Sequence, residues 1–167
     1  MSQEVTPFVL PPGPLLGIDY GSVRLGLAIS DRDQCLAAPF QLIQRLQLSD
    51  EAAFYLNVVA KEKITGIVLG LPVHLSSQES SKSKEVKRYG NWLTKLTGVP
   101  VVYWDERYST TFAWETLKAS GLKASERRKQ LDKVAAQMIL QSYLDFIRNH
   151  RSDSGVVYEK SSQPVSE

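Results

Sequence analysis

Four acidic residues stand where a carboxylate can do chemistry. Asp19 closes the apolar run Leu15–Tyr20, just ahead of Gly21. Asp105 and Glu106 close a second apolar run, "VPVVYW". Asp132 lies three residues before Ala135 and seven before Ile139, on the core-facing stripe of a predicted helix. Carboxylates are rarely buried unless they are paired or bound to a metal. Clustered without a cation, they repel one another and shift each other's pKa. Mg²⁺ and Mn²⁺ take hard oxygen ligands of this kind. Two such ions, roughly 3.5–4 Å apart, stabilise both the attacking and the leaving oxygen at a phosphodiester. The set therefore points to metal-assisted phosphodiester hydrolysis, using Asp19, Asp132 and one of Asp105 and Glu106. Taken singly, each has a plainer reading. Asp19 suits a turn, Asp105-Glu106-Arg107 a surface salt-bridge cluster, and Asp132 a helix start. The conjunction carries the functional reading.

Such positions need elements that hold them. Residues 15–20 and 24–31 predict a β-hairpin turning at Gly21. Residues 35–44 predict a third strand, and Pro39 marks it as an edge or bulged one. Ser49 or Asp50 can cap a helix whose Ala52, Ala53, Leu56, Val59 and Ala60 recur at helical spacing. "GIVLG" then reads as a strand of a sheet covered on both faces. A polar loop over 74–83 leads to a helix ending near Leu96, with Val86, Tyr89, Gly90, Leu93 and Leu96 on one face. "VPVVYW" is the last strand. Helices follow over about 109–119 and 125–147, the second carrying Ala135, Ile139, Tyr143 and Phe146 inward. The expected architecture is α/β, a mixed sheet with helices on both faces. The expected division is an extended N-terminal arm (1–14), one domain (15–148) and a polar flexible tail (149–167).

Composition narrows the setting. The chain has 167 residues, 43% of them hydrophobic, which suits one domain with a proper core. Cys35 is the only cysteine, so no intrachain disulfide forms and a reducing, cytoplasmic location is expected. No apolar stretch reaches the ~18 residues of a membrane span. "MSQEVTPFVLPPGP" lacks the basic and apolar regions of a signal peptide. A net charge of +2 permits nucleic-acid binding through a local patch. Two patches are candidates to track a backbone: Lys82, Lys84, Lys87 and Arg88, and Arg127, Arg128 and Lys129. Solvated helix faces are the plainer reading of both.

Four stretches, "GIDYGSVRLGLAISD", "IVLGLP", "DERYSTT" and "LDKVAAQMILQSYL", occur in an order and at intervals that resemble the bacterial YqgF-type family. Its members are described as pre-16S ribosomal RNA nucleases and as Holliday-junction-resolvase-like proteins. The similarity covers about residues 15–147. It implies a ribonuclease-H-like fold with a mixed five-stranded sheet. It also implies Asp19, Glu106 and Asp132 as the set holding Mg²⁺ or Mn²⁺, with Asp105 as the alternative in the "DER" motif. Arg24 and Arg107 match the family's arginines and suit a scissile phosphate, which Arg grips bidentately. Ser109 and Thr110 fill its hydroxyl pair. The implied substrate is structured RNA, in pre-16S rRNA processing during ribosome biogenesis; branched DNA is the nearest alternative.

After "GLP" the sequence departs from the family's usual Asn-Met-Asp-Gly-Ser and reads Val73-His74-Leu75-Ser76-Ser77-Gln78. His74 there reads as a solvated loop residue before a proton carrier. Actin-like ATPases and sugar kinases share an Asp-x-Gly after a first strand. They need a second such loop, and the only other one here is Asp153-Ser154-Gly155, in the polar tail. A non-catalytic nucleic-acid-binding module is the remaining alternative.

Overall fold

Apolar runs buried on both faces build the hairpin of β1 (Leu15–Tyr20) and β2 (Arg24–Ser30), in antiparallel register with Asp19 opposite Gly26. A computed structural model of the chain describes residues 9–72, 80–106 and 119–153, but not the side chains of residues 128–129, 132–133 and 151–153. β3 (Ala37–Gln44) pairs antiparallel with β2 at the sheet edge, and its register shifts opposite Leu27/Ala28, next to Pro39. Proline has no N–H to give a ladder, which explains both the edge and the bulge. The strand starts later than position 35 because Cys35 and Leu36 give their N–H groups to the Asp31 carboxylate in a turn.

α1 (Leu48–Lys61) begins one residue before Ser49, with Gln47 at the cap position and no side-chain cap. Its buried face is Glu51, Tyr55 and Val58, while Leu56 is 47% exposed. The alanine-rich spacing selects a different face because small residues suit either side, and a buried glutamate leaves no apolar signal.

β4 (Gly66–Leu71) lies parallel to β1. α2 (Ser81–Thr97) follows, opened by the Ser80 hydroxyl accepting from the Ser83 N–H at 3.1 Å and closed by Gly98 at φ 73°. β5 (Val101–Asp105) lies parallel to β4, giving the order β3-β2-β1-β4-β5. The mixed five-stranded sheet is thus as expected. α1 and α2 cover the face bearing Leu16, Ile18, Tyr20, Ile67 and Leu69.

The opposite face, with Leu15, Ala28 and Val68, is covered by α3 (Ala124–Asp153). α3 buries Ala136, Ile139, Leu140, Tyr143, Leu144 and Ile147; Ala135 and Phe146 flank that stripe and are half-buried. The helix runs on through residue 153, so the expected boundary at 149 falls inside it. Gly17 lets α3 approach, since a Cβ there would stand 2.7 Å from Leu140 Cβ and 3.1 Å from the Ala136 carbonyl. The near end of the N-terminal arm is docked: Leu10 is fully buried, and its N–H donates to the Tyr143 hydroxyl at 3.1 Å. Of the polar loop expected over 74–83, residues 74–79 lie outside the described residues, as does most of the helix expected at 109–119; α2 begins at Ser81, inside that expected loop, because Ser80 caps it.

Candidate active site

The pleat of the sheet sorts the acidic residues. Leu15, Gly17 and Asp19 alternate onto the face that α3 covers. On β4 the same face carries Val68 and Gly70, and Ile139 of α3 lies against Gly70. A Cβ on Gly70 would stand 2.9 Å from Glu106 Oε1, so the Glu106 carboxyl lies over this glycine, on the Asp19 side of the sheet. β5 ends at Asp105, paired with Leu71, whose side chain packs on the other core. The pleat thus separates Asp105 from Glu106 and leaves Glu106 as the residue on the Asp19 side. The Glu106 N–H donates to the Leu71 carbonyl at 3.2 Å, which fixes the chain just beyond the strand.

α3 runs antiparallel to β1. Its Ala136 and Leu140 meet Gly17, and Tyr143, farther along, meets Leu10 below the strand's start. From Ala136 back to position 132 the helix rises ~6 Å. From Gly17 on to Asp19 the strand advances ~6.6 Å. Position 132 is therefore on the helix covering the Asp19 face, at the level of Asp19. The Asp132 side chain lies outside the described residues.

Burial, and then the charge of Asp19, push the Glu106 carboxyl up to about 7; Asp105 adds to this and Lys82 opposes it. The Asp19 charge at the end of β1 thus opposes ionisation of the Glu106 carboxyl just past β5, an opposition that a divalent cation relieves. Among the described side chains, no group of three His, Cys, Asp or Glu forms a metal site by itself. Glycine at position 70 leaves room for the pair in the strand between them.

Arg24, exposed at the start of β2, borders a recess of about 240 Å³ with Asp19, Ser22, Gly26 and Leu42. The turn at Gly21–Val23 is braced from the other face of the sheet. Arg45 donates from Nη1 to the Gly21 carbonyl at 3.1 Å and from Nε to Glu51 at 2.8 Å. Its guanidinium stands 4.7 Å from the Tyr20 ring centre and 5.2 Å from that of Tyr89. Glu51, fully buried, also accepts from the Leu46 N–H at 3.0 Å and the Tyr89 hydroxyl at 2.8 Å. The Tyr89 and Tyr55 hydroxyls are 3.1 Å apart. Burial raises both phenols, so they stay protonated donors. Burial opposes the Arg45 charge, but the bond to Glu51 and the Tyr20 contact outweigh it and raise its pKa.

Sequence reasoning missed this brace. Its members lie on β1, the β3–α1 connection, α1 and α2, with no local motif among them. The usable signal was Glu51, a charge inside the helical period.

Arg127 lies near the start of α3, with its Nε buried and, among the described residues, without a hydrogen-bond partner. Arg128 and Lys129 follow on the same helix, their side chains outside the described residues. Arg107, Ser109 and Thr110, and with them the family's hydroxyl pair, lie outside the described residues. His74 does too.

The model of the RuvX family, described as Holliday junction resolvase, matches residues 13–146. This chain belongs to the RuvX family. A protein of Rickettsia peacockii named "Putative pre-16S rRNA nuclease" is 35% identical over 147 residues, 88% of this chain and 96% of that one. A protein of the same name from Paramagnetospirillum magneticum is 40% identical over 131 residues, 78% of this chain and 84% of that one. The sequence resemblance is thereby borne out. Among solved structures, T. thermophilus RuvC in complex with Holliday junction substrate superposes with a TM-score of 0.56 at 16% identity, covering 83% of this chain and 96% of that one. That likeness bears out the ribonuclease-H-like fold for this RuvX chain. Among its described residues, no helix is long and apolar enough to cross a membrane.

Proposed function

We propose that this RuvX-family nuclease processes the ends of pre-16S rRNA in the cytoplasm, using divalent Mg²⁺ or Mn²⁺. One observation carries the reading. Asp19 and Glu106 share one face of the sheet, at the ends of β1 and β5, and the Glu106 carboxyl is raised by burial and by Asp19. Asp19 and Glu106 would hold the metal, joined by Asp132 from α3. Hard carboxylate oxygens and a mutual repulsion suit a divalent cation. When bound, the metal supplies charge for the developing oxyanions and lowers the pKa of a water nucleophile.

The chain's own residues then position the strand. Arg24 borders the recess beside Asp19 and can take a phosphate oxygen pair. Arg107, Ser109 and Thr110, just after Glu106 in sequence, are assigned to the same phosphate. Arg127, Arg128 and Lys129 at the start of α3 are assigned to flanking phosphates, without base selection. Asp105, on the other side of the sheet from Glu106, is not placed in the ligand set.

Resolution of branched DNA is the second reading, favoured by the description of the matching family. The test is cleavage with Mg²⁺ or Mn²⁺, comparing a pre-16S rRNA end fragment with a four-way DNA junction. Faster cutting of the RNA supports processing. Cutting of the junction alone replaces it with resolution, and cutting of neither removes both.

A further inference from the structure

Four basic residues open α2, and one of them differs from the rest. Lys82 reaches across the end of β1. Its Nζ donates to the Ser22 hydroxyl at 3.0 Å and stands 4.8 Å from the centre of the Tyr20 ring. Ser22 borders the recess beside Asp19, and Tyr20 is the next residue after Asp19. Lys84, Lys87 and Arg88 are exposed on other faces of the helix. Lys82, Glu85 and Tyr89 follow one another at helical spacing along the stripe that meets the end of the sheet. On that stripe Glu85 accepts from the Tyr20 hydroxyl at 2.6 Å, and Tyr89 packs against the Tyr20 ring.

We propose that Lys82 is a phosphate-binding residue of this site, its ammonium held at the β1–β2 turn to receive a backbone phosphate of the strand that enters beside Asp19. The inference rests on the nuclease reading above and adds to it a cation from the opposite face of the sheet. Among the described residues, the two groups that Lys82 contacts are neutral, a hydroxyl and an aromatic face, and the nearby Glu85 carboxylate is already bonded to the Tyr20 hydroxyl. An ammonium carries three donors, so it can keep the Ser22 bond and still bind an anion. A polyanion approaching two carboxylates needs a compensating charge at their rim, and Lys82 supplies one there. Lysine acts as a point charge without base preference, so the contact strengthens binding on any sequence.

A lysine that merely braced the turn would contribute to stability and leave the salt dependence of binding alone. The experiment measures binding of a labelled structured RNA between 50 and 200 mM salt, in metal-free buffer, for wild type, Lys82→Met, Lys82→Arg and Lys84→Met. Unfolding curves of each protein and Mg²⁺-dependent cleavage by wild type run alongside. Removal of one phosphate ion pair should flatten the salt slope of Lys82→Met by about 0.7–0.9. The affinity gap to wild type should therefore shrink about threefold across that salt range. Lys82→Arg should keep the wild-type slope, and so should Lys84→Met. An unchanged slope in Lys82→Met, or equal losses in Lys82→Met and Lys84→Met, would overturn the assignment. Wild type that binds RNA in this salt-dependent way but never cuts would defeat the nuclease reading and leave the Lys82 result standing. Wild type that does not bind would defeat both.

Discussion

Replacing Glu106 by Gln removes an anion that the fold opposes. The carboxyl moves from an ordinary 4.5 to about 7, first through burial and then through Asp19. A folded-state pKa above the unfolded one means that the folded protein holds the proton more tightly. Below about pH 4.5 both states are protonated and the group costs nothing. As pH rises from there to 7 the unfolded chain gives up its proton first, so stability is lost through that window. Above 7 the penalty is complete. At about 1.4 kcal/mol per pKa unit it reaches about 3 kcal/mol. Without divalent metal, Glu106→Gln should be more stable than wild type by about 3 kcal/mol at pH 8 and by less than about 1 kcal/mol at pH 5. For a chain of this size, the pH 8 difference is about 6–12 °C in Tm. Thermal and urea unfolding in chelator at the two pH values measures it. Added Mn²⁺ should narrow the gap at pH 8, because a ligand of the folded wild type stabilises it alone. Parallel pH profiles for the two proteins, or a less stable Gln variant at pH 8, would refute the reasoning.

Arg45→Met leaves the buried Glu51 with two hydrogen-bond donors and no cation, and should cost about 3 kcal/mol in urea unfolding. Gly17→Ala sets a Cβ against the Leu140 Cβ and the Ala136 carbonyl of α3, where neither can swing aside. It should cost about 1–3 kcal/mol and lower cleavage as well, because position 132 moves with the helix. Replacing Arg127, Arg128 and Lys129 together by Ala should weaken binding across unrelated sequences, flattening the salt slope by about 0.7–0.9 for each phosphate that the variant no longer neutralises. An unchanged slope would leave these three as a solvated helix face.

The sheet was legible because its signals are local. Apolar runs on either side of the Gly21 turn marked β1 and β2, Pro39 marked the edge with its bulge, and the continuous run at 66–70 marked a strand covered on both sides. Asp19 and Glu106 stood out as carboxylates at the ends of apolar runs. What failed to show depends on distance in space. The inward face of α1 is set by Glu51, whose partners Arg45 and Tyr89 come from other elements. Nothing in "SSKSKEVKRYG" separates Lys82 from Lys84; the separation needs Tyr20 and Ser22, some sixty residues earlier. The choice between Asp105 and Glu106 was open in a motif where both stand side by side. The pleat puts the Glu106 carboxyl over Gly70, on the Asp19 side of the sheet, and Asp105 on the other side.

The central claim is that carboxylates at the strand ends hold a divalent metal that cuts phosphodiesters, and Asp19→Asn tests it with little change in shape. The measurement is the rate of RNA cleavage against Mn²⁺ concentration, for wild type and Asp19→Asn purified side by side, with unfolding curves recorded in chelator. The account predicts saturable, metal-dependent cleavage by wild type. It predicts none by the Asn variant, whose metal-free stability should match or exceed that of wild type because a repelling charge is gone. An Asn variant that cleaves at the wild-type rate with the same Mn²⁺ dependence would contradict it.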